Sequence, residues 1–276
     1  MSGLRIRVKQ GRFCGICKGV KMNKEYRGSM QKELLEGRKS LFSKYTDIFV
    51  GEKGFWRLAR FELITLFFSW IPGALGLALR KVFYPCLFQK VGKGVIFGRN
   101  ITLRHAHKIS LGSSCFIDDS AVLDAKGETN QGLHLGDNVY IGRNTILSCK
   151  GGSIFIGDFG NVSANCSLLS ETEIRLGKYC FLAGHCYLVA GGNHRFDDVN
   201  VPIMFQPSLS KGGIQIGDDV WLGAGVIVLD GVNIGKGSVI GAGAVVTGSL
   251  PEYAVAVGSP ARMIRDRREN KTSHKS

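Results

Sequence analysis

Acidic residues are scarce in this sequence, and the imbalance is confined to its ends. The 276 residues contain 36 Lys and Arg against 22 Asp and Glu, a formal net charge of +14. Residues 1–60 carry 15 basic against 5 acidic residues and residues 262–276 carry 6 against 2, whereas residues 91–261 carry 12 against 14. The body therefore lacks the basic stripe with interleaved aromatics that is typical of nucleic-acid binding, and we expect no nucleic-acid partner. Basic ends beside an apolar segment favour an anionic membrane surface instead.

The first 50 residues are basic but lack the continuous apolar core of a secretory signal. The lack of a secretory signal in these residues favours the reducing cytoplasm, and we expect the protein at the cytoplasmic face of a membrane. Cys14 and Cys17 form a C-x-x-C without a second pair, which is weak evidence for metal or redox chemistry. Four other cysteines fall at the fifth position of a six-residue unit described below, where small residues point inward, and we predict packed thiols at these positions: Cys115, Cys166, Cys180 and Cys186.

Residues 61–79 form an apolar run, "FELITLFFSWIPGALGLAL", with Glu62 as its single charge. Its length is close to that of a bilayer span. Pro72 and Gly73 stand in its middle, however, and predict a helix, a break and a second helix.

Basic residues flank this run on both sides, with Arg57 and Arg60 before it and Arg80 and Lys81 after it. Charge on both flanks gives no preferred orientation across a membrane. Three arrangements remain open: a hairpin that enters one leaflet and returns, an amphipathic pair lying in the interface, and a hydrophobic hairpin buried against the main domain. We favour membrane attachment.

A six-residue repeat dominates the sequence after residue 91. Residues 216–251 read "IGDDVW LGAGVI VLDGVN IGKGSV IGAGAV VTGSLP", and the first position of every unit is aliphatic. A strict period of six excludes an α-helix, whose apolar face returns every 3.6 residues. The register recurs after 18 residues, which predicts Ile216 over Ile234 and Leu222 over Ile240. Three short strands and three turns in each such interval make a triangular prism.

The repeat is interrupted twice, once near residues 124–131 and once by the longer segment 191–213, which begins "GGNHRF". A long loop inside a regular solenoid is more often functional than not, and His194 stands at its start. An imidazole titrates near neutral pH, so it can act as a general base. The remaining histidines do not have the spacing of zinc ligands, and we expect no metal: His105, His107, His134, His185 and His274.

The repeat over residues 91–265 resembles the left-handed parallel β-helix of the hexapeptide-repeat transferases, a known exception to right-handed crossover. The resemblance implies a mainly β fold, a left-handed parallel β-helix, and the apolar run adds an N-terminal helical, membrane-associated extension to it. We accordingly divide the chain into a basic N-terminal region (1–53), an apolar helical segment (54–90), the β-helix acyltransferase domain (91–261) and a basic tail (262–276).

The stretch from "AGGNHRF" to "SPARMIR" is similar to the coenzyme-A-dependent O-acetyltransferases that modify galactosides, streptogramin antibiotics, Nod factors and surface polysaccharides. The resemblance implies that His194 is the general base and that Asn165, in "VSANCSL", contacts the acceptor. It assigns coenzyme A contacts to six residues: Trp221 as a wall of the pantetheine channel, Ala224 and Ala242 through their backbones, Thr247, and Arg262 and Arg265 toward the phosphates. Where the family often has Thr-Lys, this chain has Thr247 and Gly248, so one expected positive charge is missing.

These observations predict an O-acetyltransferase that moves acetyl from acetyl-coenzyme A to a sugar hydroxyl of a cell-surface polysaccharide or lipid-linked glycan. The related enzymes form homotrimers with each site between neighbouring subunits, and we expect the same here. Three alternatives stay open. The enzyme could be an N-acyltransferase acting on a nucleotide-activated amino sugar, or an acyl carrier protein could be the donor. The chain could also be a non-catalytic trimeric membrane scaffold.

Overall fold

The computed structural model describes residues 40–269, and this range begins with helices. The Ser40 hydroxyl caps α1 (Leu41–Tyr45) by accepting a hydrogen bond from the Ser43 amide at 3.1 Å. A π-helical turn (Thr46–Val50), α2 (Phe55–Phe68), α3 (Gly73–Phe83) and a 3-10 turn (Tyr84–Leu87) follow in order. The C-x-x-C motif of Cys14 and Cys17 lies outside the described residues.

The predicted break at Pro72 and Gly73 is confirmed. α2 ends at Phe68 and α3 begins at Gly73, with Pro72 preceding it in an extended conformation. Proline lacks a backbone N–H, so the first helix cannot run through this position. The two helices have 14 and 11 residues, and none of the helices within residues 40–269 has the length and apolarity needed to cross a bilayer.

Arg80 does not act as a flanking surface charge, and that expectation is wrong for this residue. Its side chain is 2% exposed. The guanidinium donates hydrogen bonds to the carbonyls of Phe97 at 3.0 Å, Phe68 at 3.1 Å and Ile71 at 2.8 Å. Gly76 is required beside it, because a Cβ there would lie 1.9 Å from the Ile71 oxygen. Arg80 thus joins α2, the break and the first coil of the β-helix, and its burial lowers its pKa.

The pair formed by α2 and α3 has an inner and an outer face. The inner face buries Leu58 and Ile64, and Ile64 joins the core of the β-helix together with Tyr84, Leu87 and Phe88 of the segment that follows α3. The outer face, which we call the helical apolar surface, exposes large apolar side chains: Phe55, Trp56, Leu66, Trp70, Leu75 and Val82. Trp56 is the most exposed of these six side chains, at 82%. The alternative of a buried hairpin therefore describes only the inner face.

Short strands make up the rest of the described chain. In order they are β1 (Lys90–Val91), β2 (Ile96–Phe97), β3 (Thr102–Arg104), β4 (Ile109–Leu111), β5 (Phe116–Ile117), β6 (Val122–Asp124), β7 (Leu133–Leu135), β8 (Tyr140–Ile141), β9 (Ile146–Ser148), β10 (Ser153–Ile156), β11 (Asn161–Val162), β12 (Ser167–Ser170) and β13 (Glu173–Leu176). They continue with β14 (Phe181–Leu182), β15 (Tyr187–Ala190), β16 (Asn193–His194), β17 (Ser208–Leu209), β18 (Ile214–Ile216), β19 (Trp221–Leu222), β20 (Ile227–Val228), β21 (Asn233–Ile234), β22 (Val239–Ile240), β23 (Val245–Val246), β24 (Ala254–Val257) and β25 (Arg262–Asp266).

Three sheets form the sides of a prism, so the predicted parallel β-helix is confirmed. Face A contains β1, β4, β7, β10, β13, β18 and β21; face B contains β2, β5, β8, β11, β14, β19, β22, β24 and β25; face C contains β3, β6, β9, β12, β15, β20 and β23. Within these three faces the strands pair in parallel except β25, which runs antiparallel to β24. Ile216 pairs with Ile234 and Leu222 with Ile240, as the 18-residue register predicts.

The interior of the prism is filled by the aliphatic first residues and the small fifth residues of the repeat. The prediction of packed thiols is confirmed, because Cys115, Cys166, Cys180 and Cys186 are buried and free. Cys166 Sγ donates to the Ala183 carbonyl of the next coil at 3.2 Å. Burial raises the pKa of Cys180 to about 11, so this thiol stays protonated at neutral pH.

The corners between the faces differ in regularity. The turn between faces B and C, the BC corner, is tight and places Asn144, Asn165 and His185 in left-handed conformations in successive coils. The turn between faces C and A, the CA corner, holds both predicted interruptions. Residues 125–132 separate β6 from β7, and residues 191–213, which we call the long loop, separate β15 from β18. The long loop therefore projects from one edge of the prism.

Candidate active site

The long loop is closed at its base as a small hairpin. β16 and β17 pair antiparallel, with Asn193 opposite Leu209 and His194 opposite Ser208. On the side of the preceding coil, the Glu171 carboxylate accepts a hydrogen bond from the Gly192 amide at 2.9 Å. His194 is exposed on this hairpin. His194, near the start of the long loop, is thus held by paired backbone rather than by an unstructured segment.

His194 faces a backbone carbonyl that is itself fixed. Its Nδ1 lies 3.5 Å from the Gln206 carbonyl oxygen, at the outer limit of a hydrogen bond. Gln206 is 7% exposed, and its side-chain amide donates to the carbonyls of Asp198 at 2.8 Å and Val201 at 2.9 Å. A proton on Nδ1 pointing at this carbonyl leaves the Nε2 lone pair free to accept a proton. Sequence reasoning missed Gln206, which no local pattern distinguishes from a solvated loop residue.

The BC corner changes character toward the C-terminal end of the β-helix. Earlier coils carry polar side chains there, including Asn165 and His185. The last two coils carry only small residues, which we call the bare strip: Ala224, Gly225, Ala242 and Gly243. These two coils are in direct contact, since the Gly243 amide donates to the Ala224 carbonyl at 2.8 Å. Open space lies beyond Gly225 and Gly243, where an added Cβ would have no atom within 4 Å. An extended ligand can therefore approach the backbone here.

An exposed aromatic and two arginines border the bare strip. Trp221 lies on face B, in the strand that leads into the strip, and is 50% exposed. β25 covers the end of face B, with Arg262 opposite Val257 and Arg265 opposite Val255. Within residues 40–269, neither arginine lies in a salt bridge, whereas Arg267 and Arg268 are paired with Asp219 and Asp266. Arg262 and Arg265 therefore remain open to a phosphate.

The predicted site residues fall into two groups that one chain does not bring together. Asn165, Trp221, Ala224, Ala242, Arg262 and Arg265 lie on face B or at the BC corner, whereas His194 and Thr247 lie at the CA corner. Face C separates the corners. In its paired strands, Ser167 stands beside Tyr187 and Ser170 beside Ala190. The three residue steps from Ser167 to Ser170 put the two edges of the face about 10 Å apart.

Comparison with known families identifies the repeat. The family model described as bacterial transferase hexapeptide (six repeats) matches residues 213–248, a range that includes Trp221, Ala224, Ala242 and Thr247. Residues 213–248 of this chain therefore carry the bacterial transferase hexapeptide repeat.

Relatives of the hexapeptide β-helix include acetyltransferases. The chain is 34% identical over 165 residues to a probable acetyltransferase of Mycobacterium tuberculosis, covering 60% of this chain and 54% of that one. It is 36% identical over 137 residues to the galactoside O-acetyltransferase of Lactococcus lactis, covering 48% of this chain and 61% of that one. The chain thus spans little more than half the length of these relatives. A maltose O-acetyltransferase from Clostridium difficile 630 superposes with a TM-score of 0.40 at 23% identity, covering 75% of this chain and 84% of that one, a score from which nothing about function follows.

Two details of the hexapeptide β-helix bear on ligands. Gly248 stands where the resemblance leads one to expect lysine, and no heavy atom lies within 4 Å of a Cβ added there. The missing charge is therefore not imposed by lack of space. Among the residues that the structure describes, no three or more His, Cys, Asp or Glu side chains are grouped so that they could hold a metal ion.

Proposed function

We propose that this hexapeptide-repeat protein is an acyltransferase, and specifically an O-acetyltransferase that moves acetyl from acetyl-coenzyme A to a sugar hydroxyl. The observation that carries the proposal is the position of His194, exposed on a closed hairpin with Nδ1 directed at the fixed Gln206 carbonyl. The acetyltransferase names of two relatives more than 30% identical support the reaction class.

His194 acts in this proposal as the general base. Its Nε2 accepts the proton of the acceptor hydroxyl while the hydroxyl oxygen bonds to the thioester carbonyl carbon. The C–S bond then breaks, and the imidazolium returns the proton to the departing sulfur. The products are the acetyl ester and free coenzyme A, and His194 ends neutral as it began. The Gln206 carbonyl stabilises the imidazolium that forms between these steps.

The bare strip fits the pantetheine arm of the donor. The backbone groups of the strip that are not paired between coils are reachable, because no side chain longer than a methyl group covers them. Trp221 supplies an apolar wall, and Arg262 and Arg265 supply charge for the nucleotide phosphates. Asn165 lies at the same corner two coils before Ala224, which suits a contact with the acceptor.

We propose a homotrimer, and the separation of these groups supports it. Since His194 and the bare strip lie at opposite edges of face C, a second copy would supply one of them to complete a site. The outward column of face C supports burial between copies, because five of its aligned residues are apolar: Val122, Ile146, Tyr187, Ile227 and Val245. On face A the corresponding column is largely polar, with Ser110, His134, Arg175, Gln215 and Asn233.

The helical apolar surface supports an acceptor at a membrane. Its exposed tryptophans, Trp56 and Trp70, are residues that favour the bilayer interface, and the exposed Lys81 nearby favours anionic headgroups. We propose that the surface rests on a bilayer and that the acceptor is a glycan carried on a lipid or growing at the cell surface. Attachment of this kind is interfacial, with no spanning helix required.

The experiment that tests the proposed function is a thiol-release assay on the purified full chain. The probe is acetyl-coenzyme A with a panel of free sugars and lipid-linked glycans. Acceptor-dependent release of coenzyme A thiol together with an acetylated glycan supports the proposal. Release of thiol with an amino sugar alone would favour N-acyl transfer, and no release with any acceptor would leave a trimeric scaffold as the better account.

A further inference from the structure

One buried carboxylate closes the neck of the long loop. Asp230 is 5% exposed and lies at the CA corner, in the coil after the loop. Its Oδ2 accepts hydrogen bonds from the Lys211 amide at 2.7 Å and from Asn193 Nδ2 at 3.1 Å, and its Oδ1 accepts from the Gly213 amide at 2.8 Å. Asn193 is near the start of the loop, while Lys211 and Gly213 are at its end. A single side chain therefore holds both ends of the loop.

Asn193, the one side chain among the three partners of Asp230 just described, immediately precedes His194 in the sequence. In a strand, consecutive side chains point to opposite faces. Asn193 and His194 form β16, and the Asn193 side chain is turned toward Asp230 beneath the loop. His194 must then point away from the prism. A shift of one residue in this short pairing would exchange the two side chains.

We infer that Asp230 is a positioning residue for His194, acting through Asn193. The hydrogen bond between Asp230 and Asn193 fixes which face of the hairpin carries the imidazole, and the bonds to Lys211 and Gly213 fix the height of the hairpin above the prism. This inference rests on the proposed role of His194 as the general base. It assigns no contact between Asp230 and either substrate.

The inference predicts a loss of turnover without loss of donor binding. Asp230→Asn keeps the volume but replaces one acceptor oxygen by a donor that faces backbone N–H groups. We expect kcat to fall by about 10- to 100-fold, the scale of a catalytic group displaced by an ångström, with KM for acetyl-coenzyme A unchanged. Asn193→Ala should give a similar fall. The double variant should be no worse than Asp230→Asn alone, because both changes break one interaction.

Hydrogen exchange of the amides in residues 191–213 provides a readout that does not depend on activity. We expect faster exchange there in Asp230→Asn, with the remaining coils unchanged. Asp218→Asn is the matched control, because Asp218 also accepts a backbone hydrogen bond across coils, from the Lys178 amide at 2.7 Å, but at the corner between faces A and B. It should leave both exchange in the loop and kcat unchanged.

The outcomes separate this inference from the proposed function. If wild-type protein transfers acetyl and Asp230→Asn loosens the loop while kcat stays within about twofold, the positioning role is wrong and the base assignment stands. Additive losses in the double variant would also overturn it, as would loop exchange equal to that of the wild type. If wild-type protein transfers nothing while Asp230→Asn still loosens the loop, the proposed function fails, and with it the role of Asp230 in catalysis.

Discussion

Asn165 and His194 of one chain lie at opposite edges of face C, with the width of the sheet between them. In the trimer that we propose, the imidazole meets the acceptor and donor contacts where a neighbouring chain presents its BC corner to the long loop. In a closed three-fold ring, every chain would give its loop to one neighbour and its corner to the other.

This arrangement predicts complementation between two inactive variants. Asn165→Ala and His194→Ala, each alone, should have little activity. In mixed trimers, a site that takes His194 from one variant and Asn165 from the other is intact. Random assembly from co-expressed chains should therefore restore about a quarter of wild-type activity. A mixture no more active than its components would place the whole site within one chain and contradict the trimeric site.

The helical apolar surface predicts binding to anionic vesicles. Replacing Trp56, Leu66 and Trp70 with serine removes three exposed apolar side chains that contact nothing in the β-helix core. We expect co-sedimentation with vesicles containing phosphatidylserine to fall by at least about tenfold, because each such side chain contributes on the order of 1 kcal/mol at an interface.

The matched control for this experiment uses Phe159 and Tyr179, a stacked and similarly exposed pair at the corner between faces A and B. Serine at both positions should leave vesicle binding unchanged. Equal losses in the two variants would indicate nonspecific adhesion. Wild-type protein that stays in the supernatant with every vesicle composition would contradict the proposed membrane attachment.

We expect replacement of Arg80 to lower the stability of the protein strongly and specifically. Arg80→Met leaves one buried and two partly buried carbonyls without the donor that satisfies them, and we expect the free energy of unfolding to fall by about 2–4 kcal/mol. The neighbouring Lys81 is exposed, so Lys81→Met should change it by no more than about 0.5 kcal/mol. Urea denaturation measures both. Similar small effects in the two variants would mean that Arg80 does not hold the helices to the first coil.

The burial of His105 against the Asp47 carbonyl leads us to expect that the N-terminal helices loosen in acid. Its Nε2 donates to the Asp47 carbonyl at 3.0 Å, and burial lowers its pKa. The folded state thus binds fewer protons than the unfolded state below about pH 6.5, so this contribution to stability is complete above that pH and decreases as the pH falls through it.

The change in Tm between about pH 7.5 and about pH 5.5 measures this effect. His105→Asn tolerates the left-handed backbone at this position, where φ is 51°, and removes the titrating group. Its Tm should fall less on acidification than that of the wild type. His134→Asn, on face A, should keep the wild-type dependence. Identical pH dependence in all three proteins would show that His105 does not titrate on unfolding.

Much of the fold is predictable from the sequence because the repeat is strictly local. The aliphatic first position of each unit sets the strand register, as the pairing of Ile216 with Ile234 shows. Pro72 is sufficient to predict the helix break, and each interruption of the repeat predicts a loop. The inward cysteines follow from their place in the unit.

The roles of single polar residues were harder to predict. Arg80 has the sequence context of a flanking surface charge, yet its partners are carbonyls up to 17 residues away. Asp230 occupies an ordinary turn, and its importance comes from Asn193, 37 residues earlier in the chain. Gln206 matters through its backbone carbonyl, which carries no sequence signal. Contacts of this kind depend on how the coils and the loop meet in space, and no periodicity records them.

The most direct measurement is the rate of acceptor-dependent thiol release by His194→Ala, with His134→Ala as the matched histidine control. We expect His194→Ala to lose about 10²- to 10⁴-fold in kcat while it remains trimeric, and His134→Ala to keep the wild-type kcat. A His194→Ala protein that transfers acetyl within about twofold of the wild-type rate would contradict the assignment of the base.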